Sequence, residues 1–248
     1  MSDIAPERLA ALNAGEIEAA TLTECLAVDF ARLMQASFPE IDQSSINEMD
    51  AAQTQGITRR MVLAARILHD QLGADASTRL IDHPSDTVRG WACFALGTRD
   101  DMVLATKLDV IRPLADDEHF GVREWAWLAL RPEIAAQIDA AICYLTPWVT
   151  DPSARLRRFA CESTRPRGVW CSHIKPLRED PARALRLLAP LRADPAKYVQ
   201  DSVGNWLNDA AKDRPDWVRA LCRDWENMSP APETARIVKR ALRNIGGA

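Results

Sequence analysis

Between Phe159 and Trp170 the chain reads FACESTRPRGVW, which sets a carboxylate (Glu162), two guanidiniums (Arg165 and Arg167) and an indole (Trp170) within nine residues. Just upstream lie Arg155, Arg157 and Arg158, so five arginines fall within thirteen residues with Glu162 as the opposing acid. A planar guanidinium fork engages two phosphate oxygens at once, so this composition suits a phosphodiester backbone. Such binding weakens steeply as salt is added. A cluster that is solvated, or paired within the protein, is the alternative reading of the same residues.

Any nucleic-acid contact must be local, because the 248-residue chain carries a formal net charge of -4 and is not the basic protein expected of a global polyanion binder. Hydrophobic residues make up 47% and charged residues 27%, an ordinary soluble composition. Six cysteines are scattered without a CxxC pair, which reads as reduced, buried thiols of a cytoplasmic protein. Cys171 and His173 lack a second pair of ligands nearby, so no metal is expected. The N-terminal stretch has acids early and no apolar core, so no secretory signal is expected. No run approaches the ~20 apolar residues needed to span a bilayer, and no membrane partner is expected.

The elements that must position these groups form a repeat. HPSDTVRGWACFALG (83–97), DEHFGVREWAWLALR (117–131), DPSARLRRFACESTR (151–165) and DPAKYVQDSVGNWLN (194–208) align on Val88, Val122, Leu156 and Val199, with separations of 34, 34 and 43 residues. A helical period of this length belongs to the HEAT, armadillo and tetratricopeptide class. Each segment opens on a polar turn, and helical stretches lie between the segments, so each unit is a helix pair. The expectation is an all-α, right-handed solenoid of HEAT-like repeats with a concave binding face. It forms one domain over 1–248, with 1–56 as an N-terminal helical cap and stacked pairs over 57–248. The stretch 7–35 reads as helical with Leu22, Leu26, Phe30 and Leu33 on one side, and 36–56 as a connection holding a short helix.

At about 100° per residue, Trp91, Trp125 and Phe159 take equivalent places in the packed arc. Glu124, Trp127, Leu128 and Arg131 fall on the opposite arc of the second segment. Arg158, Cys161, Glu162 and Arg165 do so in the third, and Asp201, Gly204, Asn205 and Asn208 in the fourth. That outward face mixes acids, arginines, amides and a tryptophan. Arg89, Arg123 and Arg157 recur one place after the anchor aliphatic and are expected to pair with their own turn's Asp86, Asp117 and Asp151.

Two motifs at a fixed separation carry a resemblance. Glu162-Ser163-Thr164-Arg165-Pro166-Arg167 leads to Trp170. Tyr198-Val199, Ser202-Val203, Asn205, Leu207-Asn208-Asp209 and Lys212-Asp213 then precede Pro215. Together they resemble the AlkC branch of the AlkC/AlkD-type DNA alkylation repair glycosylases, most strongly over residues 116–227, with Ser163 where that pattern has glycine. The resemblance implies a cofactor-free glycosylase that removes cationic alkylated bases, such as N3-methyladenine, from double-stranded DNA; a nucleoid-associated place in a bacterial cytoplasm is expected, and a solenoid with a closed concave site is expected to work as a monomer. A methylated purine is a cation that aromatic faces attract. It leaves as a neutral base, so the enzyme must stabilise positive charge on the sugar and place a water, which a sheltered carboxylate can do. The candidates are Glu124, Glu162 and Asp201, unranked between the first two. Trp127 and Trp170 would contact the lesion, and Arg158, Arg165, Arg167, Lys212, Asn205 and Asn208 the DNA. Full flipping of the base and cleavage of a stacked base both fit. The ending RALRNIGGA, soon after the repeats, predicts no additional C-terminal DNA-gripping domain. A HEAT-like module that binds DNA or protein without chemistry is the competing expectation.

Overall fold

Each repeat segment begins with a turn closed by its own first side chain. In a computed structural model, which describes residues 4–73, 76–168 and 171–245, Asp117 Oδ1 accepts the His119 amide at 2.7 Å, Asp151 Oδ1 the Ser153 amide at 2.8 Å, and Asp194 Oδ1 the Ala196 amide at 2.9 Å. In the first segment the imidazole Nδ1 of His83 takes that place, accepting the Ser85 amide at 3.0 Å. A short polar side chain that satisfies the amide two residues on holds the chain out of helix until the next element starts.

Six residues later a second group grips the same turn. Arg89 Nη1 donates to the carbonyls of His83 and Pro84 at 2.8 and 3.1 Å, Arg123 Nη1 to those of Asp117 and Glu118 at 2.7 Å each, and Arg157 Nη1 to those of Asp151 and Pro152 at 2.9 Å each. Gln200 Nε2 does the same for the Asp194 carbonyl at 2.7 Å. The other edge of the guanidinium reaches forward. Arg89 engages Asp117 through Nε at 2.8 Å and Nη2 at 3.2 Å, and Arg157 engages Asp194 at 2.6 and 3.0 Å. This corrects the expected ladder at Arg89 and Arg157: each takes its own turn by the backbone carbonyls, and its carboxylate partner is the next turn's Asp. Asp86 is elsewhere altogether, buried, accepting the Ala19 amide at 3.0 Å and facing His119 Nδ1 at 3.5 Å.

Every regular element among the described residues is helical. In chain order these are α1 (Pro6–Ala14), α2 (Leu22–Ala27), α3 (Phe30–Ser37), α4 (Gln43–Ala51), α5 (Ile57–Leu72), α6 (Ala76–Ile81), α7 (Asp86–Gly97) and α8 (Leu104–Ala115). There follow α9 (Phe120–Ala136), α10 (Ile138–Leu145), α11 (Ala154–Glu162), α12 (Lys175–Glu179), α13 (Leu185–Leu188), α14 (Lys197–Ala211), α15 (Pro215–Met228) and α16 (Pro232–Ala241). The four repeat segments are α7, α9, α11 and α14 with their preceding turns. None of the described helices is long and apolar enough to cross a membrane.

The helices gather into two compact units: residues up to 103 with 117–129, and 104–116 with 130 onward. In the first, Phe30 meets the Trp91 ring edge-on at 5.4 Å, and Trp125 packs on Phe94 at 6.3 Å. Gly90 permits this, since a Cβ there would sit 2.6 Å from Trp125. In the second, Phe159 stacks near Trp148 at 5.1 Å, with Trp206 and Trp225 fully buried. Trp91, Trp125 and Phe159 are thus core, as the repeat alignment requires. The N-terminal stretch differs from the single helical pattern expected: Gly15, at φ 74°, ends α1, and Thr21 and Asp29 cap α2 and α3. Breaking the helix turns Leu22 and Leu26 outward while Phe30 and Leu33 stay buried. The short helix expected within 36–56 is α4.

Arg157 offers a direct test of the clamp. Arg157→Gln keeps a donor for the turn carbonyl, as Gln200 does, but leaves the buried Asp194 carboxylate without its cation; a loss of about 2 kcal/mol is expected by urea unfolding. Arg157→Ala removes both halves and should cost about 3–5 kcal/mol. Equal losses for the two variants would show that the grip on the turn carbonyls contributes nothing, and a wild-type stability for Arg157→Gln would show the same of the forward ion pair.

Candidate functional site

In the first unit, Glu124 and Trp127 lie one turn apart on α9, the spacing at which helical side chains meet. The indole Nε1 of Trp127 donates to Glu124 Oε2 at 2.8 Å. Glu124 is half-buried, whereas Trp127 is only 5% exposed. The outward placement expected for Trp127 and for its neighbour Leu128 therefore does not hold. A repeat helix is covered on more than one side, so its buried arc is wider than a single-faced wheel allows. Glu124 is the more exposed of the two, and the buried indole is the donor that directs its carboxylate.

In the second unit, the described part of FACESTRPRGVW, FACESTRPRG, resolves into an ion-paired network. Helix α11 stops at Glu162, four residues before the proline at 166 expected to end it, because a residue preceding proline is pushed out of helical backbone. The freed carbonyls are collected by Arg131, only 2% exposed, which donates to Ser163 O at 2.9 Å, Arg165 O at 2.7 Å and Ser172 O at 3.2 Å. Trp206 Nε1 takes Thr164 O at 3.1 Å. Phe159, Ala160, Ser163 and Thr164 are all buried, as the packed half of this segment should be.

Glu162 is buried too, at 4% exposure, not on the open face expected of it. Ser202 Oγ on α14 donates to Oε2 at 2.6 Å, Arg165 Nη1 donates to Oε1 at 2.7 Å, and Arg158 lies 3.8 Å away. Burial alone would raise this carboxyl. The charges of Arg158 and Arg165, with the hydrogen bonds from Ser202 and Arg165, outweigh it and hold the group below the ordinary carboxylate range. Arg165 continues to Asp209 Oδ2 through Nε at 2.9 Å and Nη2 at 2.7 Å, and Lys212 closes on Asp209 Oδ1 at 3.0 Å. Arg167 and Arg178 both grip Asp213 in bidentate fashion, which drives that carboxyl far down. The dense arginine run is thus paired internally to a large degree. Arg158 spreads over the Tyr198 ring at 4.4 Å, and Lys212 remains nearly half-exposed.

The fourth segment divides. Asn208 is 1% exposed, donating to Ala241 O and accepting from Asn244, both at 3.0 Å, so it ties α14 to α16 and does not reach the surface. Asp201 is bracketed by Arg236 at 2.7 Å and Arg240 at 3.1 Å, and Asn205 accepts from Arg240 and Arg243. Trp170 lies outside the described residues. Glu162, Arg158, Arg165 and Lys212 are thereby brought together with Ser202 and Asp209. Arg167 belongs to a second cluster around Asp213, and Asp201 and Asn205 to a third on α16. Sequence reasoning missed Arg131, Ser202, Asp209 and Asp213 as organisers. Ser202, Asp209 and Asp213 are residues of the second motif, but nothing local marks them as partners of the first.

Two family models match this chain: HEAT repeats over residues 75–164 and DNA alkylation repair enzymes over residues 122–235. The DNA alkylation repair resemblance holds. It centres on the part of the chain that carries the two motifs. An uncharacterised protein of Bacillus subtilis, YhaZ, is 34% identical over 117 residues, which is 47% of this chain and 32% of that protein. The alkylpurine DNA glycosylase AlkC of Pseudomonas fluorescens, solved bound to DNA containing an abasic-site analogue, superposes with a TM-score of 0.65 at 25% identity, covering 90% of this chain and 62% of AlkC. AlkD2 of Streptococcus mutans shares the fold, with a TM-score of 0.56 at 22% identity over 88% of this chain and 98% of AlkD2. The chain therefore spans about a third of YhaZ and under two thirds of AlkC.

Glu162 makes a prediction about acid stability. Its folded carboxyl lies below its unfolded value, so its stabilisation is present above the ordinary carboxylate pKa of about 4.3 and is lost as pH falls through the folded value. Glu162→Gln should cost about 3 kcal/mol at pH 7, and the gap to wild type should narrow steadily in urea titrations taken below about pH 4. A gap that stays constant from neutral to acid pH would show that the charge of Glu162 is not what holds the network.

Proposed function

We propose that this protein is a DNA repair glycosylase that hydrolyses the N-glycosidic bond of cationic alkylated bases, such as N3-methyladenine, in duplex DNA. It acts as a monomer, and Glu124 is the carboxylate that faces the sugar. The observation that carries this reading is the Glu124–Trp127 hydrogen bond: a partly solvent-facing acid whose direction is set by a buried indole. The bond to a methylated purine is already weakened, since the base departs neutral. Catalysis then needs negative charge placed beneath the developing cation on the sugar and a positioned water, and a pre-oriented carboxylate supplies both. Glu162, with both oxygens engaged, acts as a positioning residue for Arg158 and Arg165. Arg158, Arg167 and Lys212 are the cations of the motif region proposed to meet phosphates, and Trp170 is proposed from its motif to meet the lesion. The DNA-bound state of AlkC, and the alkylation repair match over 122–235, support DNA as the partner.

A second reading has an observation in its favour. Trp127 is buried, and most of the arginine cluster is already paired, as in a module that grips DNA without chemistry. Excision separates the two. Purified wild-type protein should release N3-methyladenine from methylated duplex DNA, and Glu124→Gln should slow single-turnover release by about 100-fold or more with little change in DNA affinity. Trp127→Phe, which keeps the ring and removes the donor, should give a smaller loss in the same step. Release of no methylated base by the wild type rules the enzyme out; DNA binding that persists without release selects the second reading.

A further inference from the structure

The third carboxylate candidate, Asp201, turns out to organise a set of cations. Asp201 Oδ1 lies 2.7 Å from Arg236 Nη2 and 3.1 Å from Arg240 Nη1. One turn along α14, the neutral Asn205 Oδ1 accepts from Arg240 Nε at 3.1 Å and from Arg243 Nη1 at 2.9 Å. Between them is Gly204, where a Cβ would fall 2.8 Å from the Cβ and Cδ of Arg240. The missing side chain lets the stem of Arg240 lie flat across α14 and fixes where its guanidinium emerges. Arg236 and Arg240 are each more than a third exposed, and Lys239 and Arg243 are exposed on the same stretch. Four cations thus face two carboxylates, Asp201 and the first-turn Glu233, and an amide orients two of the guanidiniums without neutralising them.

We infer that this strip, Arg236, Lys239, Arg240 and Arg243, is a phosphate-binding track for the backbone of double-stranded DNA, in addition to the cations of the motif region. The step from Arg236 to Arg243, which leaves the end of α16 for the turn after it, covers roughly 10 Å at a helical rise, about the axial length of three phosphates on one strand at ~3.4 Å each. Guanidiniums already oriented by contacts of their own nitrogens with Asp201 and Asn205 lose less freedom on binding than unrestrained side chains do, and each keeps further donors for a phosphate. The choice of DNA over an acidic protein rests on the DNA-repair reading above. The strip itself asks only for a regular row of anions.

The test is equilibrium binding of the full chain to a fluorescent, unmodified duplex over a salt series. Each phosphate contact contributes about 0.9 to the slope of log affinity against log salt. Arg236→Gln/Lys239→Gln/Arg243→Gln, which spares the packed Arg240, should make that slope shallower by about 2.7 and weaken binding at 0.1 M salt by tenfold or more. Lys239→Glu, a single exposed change, should weaken binding in the same direction while leaving the thermal midpoint at its wild-type value. Wild-type slope and affinity in both variants, or no duplex binding by the wild type, overturns the assignment and leaves an acidic protein as the strip's partner. The outcome is independent of excision: a wild type that binds through this strip but releases no base removes the glycosylase and keeps the track. A wild type that excises with variants of unchanged affinity removes the track and keeps the glycosylase.

Discussion

The arrangement on which the rest depends is one guanidinium with two duties. Arg89 and Arg157 each tie down the carbonyls of the turn behind them and, with the other edge, hold the carboxylate that opens the next turn. A fork with five donors can do both at once, where an ammonium would have to choose. The cost of desolvating the charge is offset because the same group satisfies backbone oxygens that would otherwise be stranded. Helix starts along each unit are therefore spaced by hydrogen-bond geometry as well as by apolar packing.

The same chemistry recurs where the chain departs from helix. The residues after Glu162 cannot continue α11 into a proline, and the exposed backbone this leaves is gathered by Arg131 and Trp206. Glu162 and Asp209 then fix Arg165, and Asp213 fixes Arg167 and Arg178. The first motif owes its shape to the second: the carboxylates of Asp209 and Asp213 and the hydroxyl of Ser202 all come from it. Two stretches some forty residues apart form one polar core, which accounts for why their pairing at that separation is a more telling signature than either alone.

What could be read from sequence was local or periodic. The turn residues, the anchor aliphatics, the buried Trp91, Trp125 and Phe159, and the helical repeat class all follow from spacing along the chain. The alkylation repair resemblance rests on motifs a few residues long. What could not be read was any contact set by which helices lie side by side. Arg165 with Asp209, Arg167 with Asp213, and Asp201 with Arg236 are such cases, each bridging more than thirty residues. The helical wheel failed at Trp127, Leu128, Arg131, Cys161, Glu162, Gly204 and Asn208, all placed outward and all buried, for the same reason. It presumes one covered side, and these helices have more. Nor does a wheel distinguish a half-buried carboxylate on a repeat helix, like Glu124, from one buried within an ion-paired network, like Glu162.

Gln200 has a consequence of its own. It occupies the clamp position of the fourth segment and still closes its turn, but an amide has no charge to pass forward. The succession of cation to following acid stops there. Arg236 instead reaches back to Gln200 Oε1 at 3.3 Å, reversing the direction of the series. Chain polarity in this protein is thus written in charge, and a single neutral side chain terminates it. By dropping out of the series, that residue exempts α16 from serving as another rung and leaves its arginines to be disposed by Asp201, Asn205 and Gln200 itself.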